Sequence, residues 1–200
     1  KTKDTKNNLK KFYKKNISVS CEIGINTNKK QKLKIKKEIK NFIFIGRFLH
    51  YKGGNLLIEA FNIALKRNKN IRLSFYGGGY EKNNWQQKIS KYNLDDYIKL
   101  YGWVNHSKIN SIYQNSDVVV FPGLHDSSGN VILEALSNSL PVLCLNTGGP
   151  GEIITSNCGI KVNINTKSTE QSIVNQLSKN IIKITKNKTL YSKLSKGAFL

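Results

Sequence analysis

The chain has 200 residues, of which 38% are hydrophobic, enough to form the core of one ordinary domain. No run of about 18 apolar residues occurs, so the sequence predicts no membrane-spanning helix. The formal net charge is +21, with 33 basic and 12 acidic residues. The chain begins at Lys1 and contains no methionine, so we expect it to be a piece of a longer protein.

Lysine accounts for most of the positive charge, because only three of the 33 basic residues are arginine. Strongly basic chains often bind nucleic acids or anionic lipid surfaces. Proteins that read nucleic-acid bases, however, rely on the bidentate contacts of arginine, which lysine cannot make. Asparagine and isoleucine are abundant too, which favours the codon usage of an AT-rich genome as the source of the lysines. Peripheral contact with an anionic membrane that carries a lipid-linked acceptor is the alternative.

Residues 1–40 form a lysine-rich linker or extension, with 14 lysines against 3 acids. We predict at most a short helix ending near Lys15, a short edge strand over residues 17–24, and a polar stretch over residues 27–40. A basic α/β module that binds nucleic acid or anionic membrane through this segment, without catalysis, is the alternative function. Such binding would be sensitive to salt and would be abolished by deleting residues 1–40.

Residues 41–200 alternate regularly between strand and helix patterns. Strands are predicted over 42–45, 71–76, 97–101, 117–121, 141–145 and 159–162. Helices are predicted over 55–66, 81–92, 106–115, 129–138, 168–186 and 189–196, with a short helix after 148–151. This order indicates an α/β fold with an about six-stranded parallel sheet and helices on both faces. Ligands in that architecture bind at the carboxyl ends of the strands.

Two loops at those strand ends carry residues suited to phosphate. After the first strand, a glycine-flanked loop places Arg47 and Lys52 five positions apart. Each charge-assisted hydrogen bond to a phosphate oxygen contributes about 1.5–3 kcal/mol. After the fourth strand, a helix begins whose free N–H groups and dipole favour an anion. The residues at its start are Gly129, Asn130 and Val131.

Two carboxylates, Asp126 and Glu134, flank the start of that helix. Carboxylates beside an anion site commonly accept hydrogen bonds from sugar hydroxyls, so the combination suggests a ligand with phosphate and polyol parts, such as a nucleotide sugar. The alternative for Asp126 is an Asx turn that stabilises its own loop. The alternative for Glu134 is an exposed helix face, although an unpaired carboxylate on so apolar a helix is costly.

Other conspicuous residues carry less information. The triplet Gly77–Gly79 permits either close approach of a ligand or a tight turn, and it lacks the dinucleotide-binding glycine spacing. Cys144 and Cys158 lie in apolar surroundings and are predicted core residues. Three scattered cysteines without a C-x-x-C pair fit a reducing, cytoplasmic location. No cluster has the spacing of zinc ligands, so no metal is expected.

The sequence resembles a known family over roughly residues 17–197. The segments that carry the resemblance are Gly46–Gly53, Phe75–Gly79, Tyr101–Val104, Asp126–Glu134 and Thr147–Glu152. They look like the C-terminal half of a retaining glycosyltransferase of family 4, also called glycosyl transferases group 1. These enzymes have the GT-B architecture, in which two Rossmann-like domains face each other across a cleft. The C-terminal domain binds the nucleotide-sugar donor, the N-terminal domain binds the acceptor, and no metal is needed.

The resemblance implies a role for each candidate residue. Arg47 and Lys52 would clamp the diphosphate and stabilise the leaving group, Glu134 would bind the ribose, and Asp126 would contact the donor sugar. The remaining contacts would come from backbone groups: Gly46 in the phosphate loop, Gly102 and Val104 beside the base, and Gly129, Asn130 and Val131 at phosphate and sugar. The family usually has glutamate where Asp126 stands and phenylalanine where Ser128 stands, so the donor sugar stays open.

Residues 41–200 would therefore be the nucleotide-sugar-binding, Rossmann-like domain of a hexosyltransferase. The donor would be a UDP-, GDP- or ADP-sugar, and the acceptor a sugar or lipid-linked molecule in surface polysaccharide or lipid-linked glycan synthesis. We expect this chain alone to bind nucleotide without transferring sugar, because the acceptor domain is absent from it.

Three more classes of protein with this kind of α/β fold compete with that interpretation. They are a sugar-phosphate synthase, a phosphorylase, and a receiver-like or NAD-binding dehydrogenase Rossmann domain. A phosphorylase is expected to need pyridoxal phosphate, and the sequence shows no obvious lysine motif for it. An NAD-binding domain is expected to carry its glycine fingerprint after the first strand, and none follows Ile45.

Overall fold

The computed structural model describes residues 3–12, 16, 38–126 and 129–198. The first helix, α1, covers Lys3–Lys10, so the predicted N-terminal helix is present but ends before Lys15. The predicted edge strand over 17–24 and most of the polar stretch over 27–40 lie outside the described residues. Among the helices of the described part, none is both long and apolar enough to cross a membrane.

In the described part of the chain, six strands and seven further α-helices follow, and they alternate except that the last two helices are consecutive. The strands are β1 Asn41–Ile45, β2 Arg72–Tyr76, β3 Ile98–Tyr101, β4 Val118–Phe121, β5 Val142–Leu145 and β6 Gly159–Val162. The helices are α2 Gly54–Leu65, α3 Lys82–Lys91, α4 His106–Gln114, α5 Asn130–Ser137, α6 Gly148–Ile153, α7 Glu170–Lys186 and α8 Lys188–Ala198. Every strand and helix predicted between residues 41 and 198 is present, and their ends agree to within about two residues, the usual uncertainty of helix and strand boundaries, with one exception. The short helix predicted to follow a turn at 148–151 instead begins at Gly148, so the predicted turn is itself helical.

The strands form one sheet in the order β3-β2-β1-β4-β5-β6, and every neighbouring pair is parallel. This is the strand order of the doubly wound nucleotide-binding folds. The chain moves outward from β1 to β3 and then returns to β4 on the other side of β1. The connections leaving β1 and β4 therefore diverge, and a crevice opens between the carboxyl ends of these two strands.

Asp117 ties the two central strands together at their opposite, amino ends. Its Oδ2 accepts hydrogen bonds from the backbone N–H groups of Lys40 and Asn41, both at 2.8 Å. The side chain is buried, with 2% of the residue exposed. These bonds fix the start of β1 beside the start of β4, and so they also fix the two carboxyl ends that border the crevice.

The core lies in two layers, one on each face of the sheet. Along β1, Phe42 and Phe44 pack against the layer that contains α2 and α7. Ile43 and Ile45 pack against the layer that contains α4 and α5. This alternation follows from the two-residue period of a strand. The sequence prediction of a strand buried on both faces is therefore confirmed.

Candidate functional site

The crevice between β1 and β4 holds a cleft of about 330 Å³. Its floor is formed by Ile45 and Phe121, the last residues of the two strands. Most of the predicted site residues line it: Gly46, Arg47, Lys52, Asp126, Gly129, Asn130 and Val131. The structure therefore brings the basic loop and the start of α5 together, although 74 or more residues separate Lys52 from this part of the chain.

Lys52 is the central cation of the cleft. Its ammonium group forms an ion pair with the Asp126 carboxylate, and the two side chains are only 14% and 11% exposed. The same ammonium nitrogen lies 5.5 Å from the ring centres of both Tyr51 and Phe121. Aromatic faces attract a cation at this distance, so Lys52 is held in place by an acid and two rings. The aromatic partners were not identified from the sequence, because Phe121 has only the pattern of a core strand residue.

Arg47 lies at the rim of the cleft rather than in its floor. Its side chain is exposed, and one guanidinium N–H donates to the Tyr51 hydroxyl at 3.4 Å. A side chain held this loosely can turn toward a phosphate that enters the cleft. Lys52 and Arg47 thus place one largely buried and one exposed cation on a single loop beside the cleft.

Asp126 is engaged by its own chain as well as by Lys52. Its Oδ1 accepts a 3.4 Å hydrogen bond from the Gly129 N–H, at the residue that precedes α5. Its carbonyl accepts from the Gly149 N–H at 2.9 Å. A Cβ on Gly148 would lie 2.1 Å from that carbonyl oxygen. The first residue of α6 can therefore lie this close to Asp126 only because it is glycine. Asp126 therefore stabilises its own loop, as the alternative interpretation predicted. Its carboxylate nevertheless lines the cleft.

Glu134 lies one turn along α5 from Val131 and outside the lining of the cleft. The residue is half-buried, and its Oε2 accepts a 2.9 Å hydrogen bond from the Tyr113 hydroxyl. Tyr113 belongs to α4 and is 1% exposed. Burial, followed by the nearby Glu134 charge, raises the pKa of Tyr113 far above its usual range. Tyr113 therefore stays protonated and can act as a hydrogen-bond donor.

Gly102 and Val104 lie apart from the cleft, on the loop after β3. Two strand positions separate β3 from β1, which corresponds to about 10 Å at the usual spacing of strands. The loop also carries Trp103, which is 75% exposed and lies over Gly78. A ligand that contacted both the cleft and the loop of Gly102 and Val104 would have to span the ends of β1, β2 and β3.

The glycine triplet after β2 supports the basic loop. A Cβ on Gly77 would lie 1.9 Å from the carbonyl oxygen of Gly46, and Gly77 has a φ of +134°. The N–H groups of Gly46 and Phe48 donate to the carbonyls of Tyr76 and Gly78. The space beside these glycines is therefore filled by the protein's own backbone, which favours the tight-turn alternative over direct approach of a ligand.

A second cleft of about 430 Å³ adjoins the first across His125. It is bordered by the loop after β5 and the start of α6, including Thr147, Gly148 and Glu152. Among the described residues, no group of three or more histidine, cysteine, aspartate or glutamate side chains is placed to hold a metal ion. Cys144 and Cys158 are buried and unbridged, as predicted.

Comparison with known proteins agrees with this geometry. Residues 25–199 match the family described as glycosyl transferases group 1. The chain belongs to this family of glycosyl transferases. An uncharacterized glycosyltransferase of Methanocaldococcus jannaschii is 30% identical over 139 residues, which are 66% of this chain and 35% of that protein. The family membership predicted from the sequence is confirmed.

Two solved glycosyl transferase structures share the fold. The pneumococcal O-GlcNAc transferase GtfA, in complex with UDP and GlcNAc, superposes with a TM-score of 0.72 at 18% identity, covering 81% of this chain and 34% of that one. The C-terminal domain of the group 1 family protein LpcC from Francisella tularensis gives a TM-score of 0.71 at 22% identity, covering 88% and 95%. The predicted Rossmann-like fold, one half of a GT-B enzyme, is confirmed.

This glycosyl transferase chain spans about a third of the length of the relatives it matches. Its fold agrees with that of a separately solved C-terminal domain over 95% of that domain. The chain therefore has the fold of the C-terminal domain in the family's architecture.

Proposed function

We propose that the cleft between β1 and β4 binds the diphosphate of a nucleotide-sugar donor. The observation that carries the proposal is the meeting of Arg47, Lys52 and the start of α5 around this one cleft at the strand-order switch point. Two cations and the partial positive charge of a helix N-terminus border the same small volume. Backbone N–H groups at such a helix start bind phosphate readily.

In sugar transfer, negative charge develops on the nucleoside diphosphate as the bond from the sugar to phosphate breaks. Preorganised donors stabilise that charge more than they stabilise the intact donor, and so they lower the barrier. Lys52 and Arg47 supply this stabilisation in our proposal, which assigns no role to a metal ion. Asp126 keeps the Lys52 ammonium group oriented toward the cleft and contacts the hydroxyls of the donor sugar.

The remaining parts of the donor extend from the cleft along the sheet edge. Glu134 accepts hydrogen bonds from the ribose hydroxyls, and the base lies beside the loop of Gly102 and Val104. The distance of about 10 Å between the ends of β1 and β3, from the usual strand spacing, suits the length from a diphosphate to its base. UDP is the first nucleotide to test, because the pneumococcal structure with this fold contains it.

The acceptor site belongs to a part of the protein outside this chain, since relatives are about three times longer. We propose a sugar or lipid-linked acceptor in surface glycan synthesis, and a cytoplasmic protein that contacts the inner face of the membrane through its lysine-rich surface. The chain alone is then expected to bind donor without transferring the sugar, apart from slow donor hydrolysis.

Calorimetric titration of the chain with UDP, GDP and ADP tests the donor site. We expect saturable binding of one of the three and weaker binding by the variants Lys52→Ala and Glu134→Ala. The third variant, Lys179→Ala, removes a lysine from the outer helix α7 as a control and is expected to bind like the wild type. Absence of binding by the wild type, or equal binding by all variants, would contradict the proposal.

A further inference from the structure

Glu134 is presented to the ligand by a neighbouring helix as well as by its own. Tyr113, near the end of α4, reaches across to α5 and donates to one oxygen of the carboxylate, Oε2, at 2.9 Å. Its hydroxyl also lies 3.5 Å from the carbonyl oxygen of Val131, one turn before Glu134. Among residues 38–126 and 129–198, Tyr113 is the hydrogen-bond donor found for this carboxylate.

The direction of the tyrosine side chain explains how it reaches this position. Side chains on a helix tilt toward the helix N-terminus. The N-terminus of α4 follows directly on the loop of Gly102 and Val104, at the ligand-binding edge of the sheet. We expect the ring of Tyr113 to extend from the last turn of α4 back toward that edge. It packs in the apolar layer with Ile132 and Ala135 of α5, so its hydroxyl has a fixed position.

We propose that Tyr113 is a positioning residue that fixes the Glu134 carboxylate for the ribose hydroxyls, which rests on the proposed function of the cleft. A glutamate near a helix surface has several rotamers, and fixing one of them on binding costs conformational entropy. The hydrogen bond at Oε2 fixes the rotamer before the ligand arrives and leaves the second oxygen, Oε1, to accept from the ribose. The pKa of Tyr113, raised by burial, keeps the hydroxyl a donor throughout the physiological pH range.

Comparing two nucleotides, one with and one without ribose hydroxyls, distinguishes a role of Tyr113 in positioning Glu134 from a role in the stability of the core alone. The variant Tyr113→Phe removes the hydroxyl and keeps the ring that fills the core. UDP and 2′,3′-dideoxy-UDP, which lacks both ribose hydroxyls, are titrated into the wild type and the variant. If the wild type binds GDP or ADP better than UDP, that nucleotide and its 2′,3′-dideoxy form are used instead. We expect the variant to bind UDP up to about tenfold more weakly, because fixing the untethered Glu134 side chain on binding then costs conformational entropy. The dideoxy nucleotide, which cannot use Glu134, should bind both proteins equally.

Two further variants sharpen the test. In a Glu134→Ala background, which removes the acceptor of the Tyr113 hydroxyl, Tyr113→Phe should weaken UDP binding no further, because the two side chains act as one unit. Tyr191→Phe removes the hydroxyl of another buried tyrosine, in α8, and should leave both affinities unchanged. Equal losses for both nucleotides, or no loss for UDP, would overturn the role of Tyr113. Failure of the wild type to bind any of the three nucleotides would instead overturn the donor site, and this inference with it.

Discussion

At the scale of single residues, the site depends on one lysine held in an unusual environment. Lys52 carries its charge in a place where it is only 14% exposed, paired with Asp126 and flanked by two aromatic rings. A buried charge is costly unless it is paired, so the ion pair stabilises the cation in its buried position. An entering phosphate would add a second anion to the same ammonium group.

Lys52→Gln is expected to weaken binding of UDP far more than binding of uridine. The charge-assisted bond contributes about 1.5–3 kcal/mol, which corresponds to about 10- to 100-fold in affinity for the diphosphate. Uridine lacks phosphate, so its affinity should fall by less than about twofold. Calorimetry or competition binding measures both affinities.

The matched control is Lys88→Gln. Lys88 also forms an ion pair, with Glu59, and both side chains are partly buried, but the pair joins α3 to α2 away from the cleft. We expect it to leave both affinities unchanged. Equal weakening of UDP and uridine by Lys52→Gln would mean that the lysine supports the loop rather than the phosphate.

At the scale of elements, the basic loop depends on close backbone packing between the ends of β1 and β2. Gly77 occupies a region of positive φ and leaves no space for a Cβ against the Gly46 carbonyl. Gly102, one strand further, has no heavy atom within 4 Å of the position of a Cβ. The two glycines are therefore under different constraints although both end a strand at the same edge of the sheet.

Gly77→Ala is expected to lower the free energy of unfolding by at least about 2 kcal/mol, from backbone strain and the clash together. Gly102→Ala should change it by less than about 0.5 kcal/mol, the usual range for an unconstrained surface position. Urea denaturation of both variants and the wild type measures the difference. Similar values for the two alanine variants would show that the backbone around Gly77 rearranges easily.

At the scale of the whole molecule, stability at high pH depends on buried tyrosine and cysteine side chains that keep their protons in the folded state. Burial raises the pKa of Tyr113 and Tyr191 well above the usual value for tyrosine. Burial also raises the pKa of the Cys144 thiol to about 12. Each group binds its proton more tightly in the folded state, so its contribution to stability is complete below the pKa of the unfolded chain and is lost as the pH rises above it.

The free energy of unfolding is therefore expected to begin falling above about pH 8.5, the usual pKa of cysteine, and to fall more steeply above about pH 10, the usual pKa of tyrosine. For each proton that the folded state keeps and the unfolded state has lost, the free energy of unfolding falls by about 1.4 kcal/mol per pH unit. Urea denaturation between pH 7.5 and 11 measures the slope, and absorbance of tyrosinate should rise together with unfolding. A double variant, Tyr113→Phe with Tyr191→Phe, should show a smaller slope. Ionisation of all nine tyrosines near pH 10 in the folded protein would contradict this.

The sequence alone determined the elements, the family and most of the cleft. The continuous apolar runs predict the strands because burial on both faces of a parallel sheet requires them. The loop of Arg47 and Lys52 is predicted to lie at the ligand-binding edge because it begins directly after such a strand. Local composition and spacing carry these signals, so no tertiary information was needed to interpret them.

Only the tertiary structure decided which side chains meet. The Lys52–Asp126 pair and the Tyr113–Glu134 hydrogen bond join residues 74 and 21 positions apart, and no local pattern specifies such pairings. The strand order places β1 beside β4 and leaves Gly102 and Val104 two strands from β1. Sheet order and helix packing depend on the whole core, because a contact between distant segments forms only once the layers that carry them are packed together.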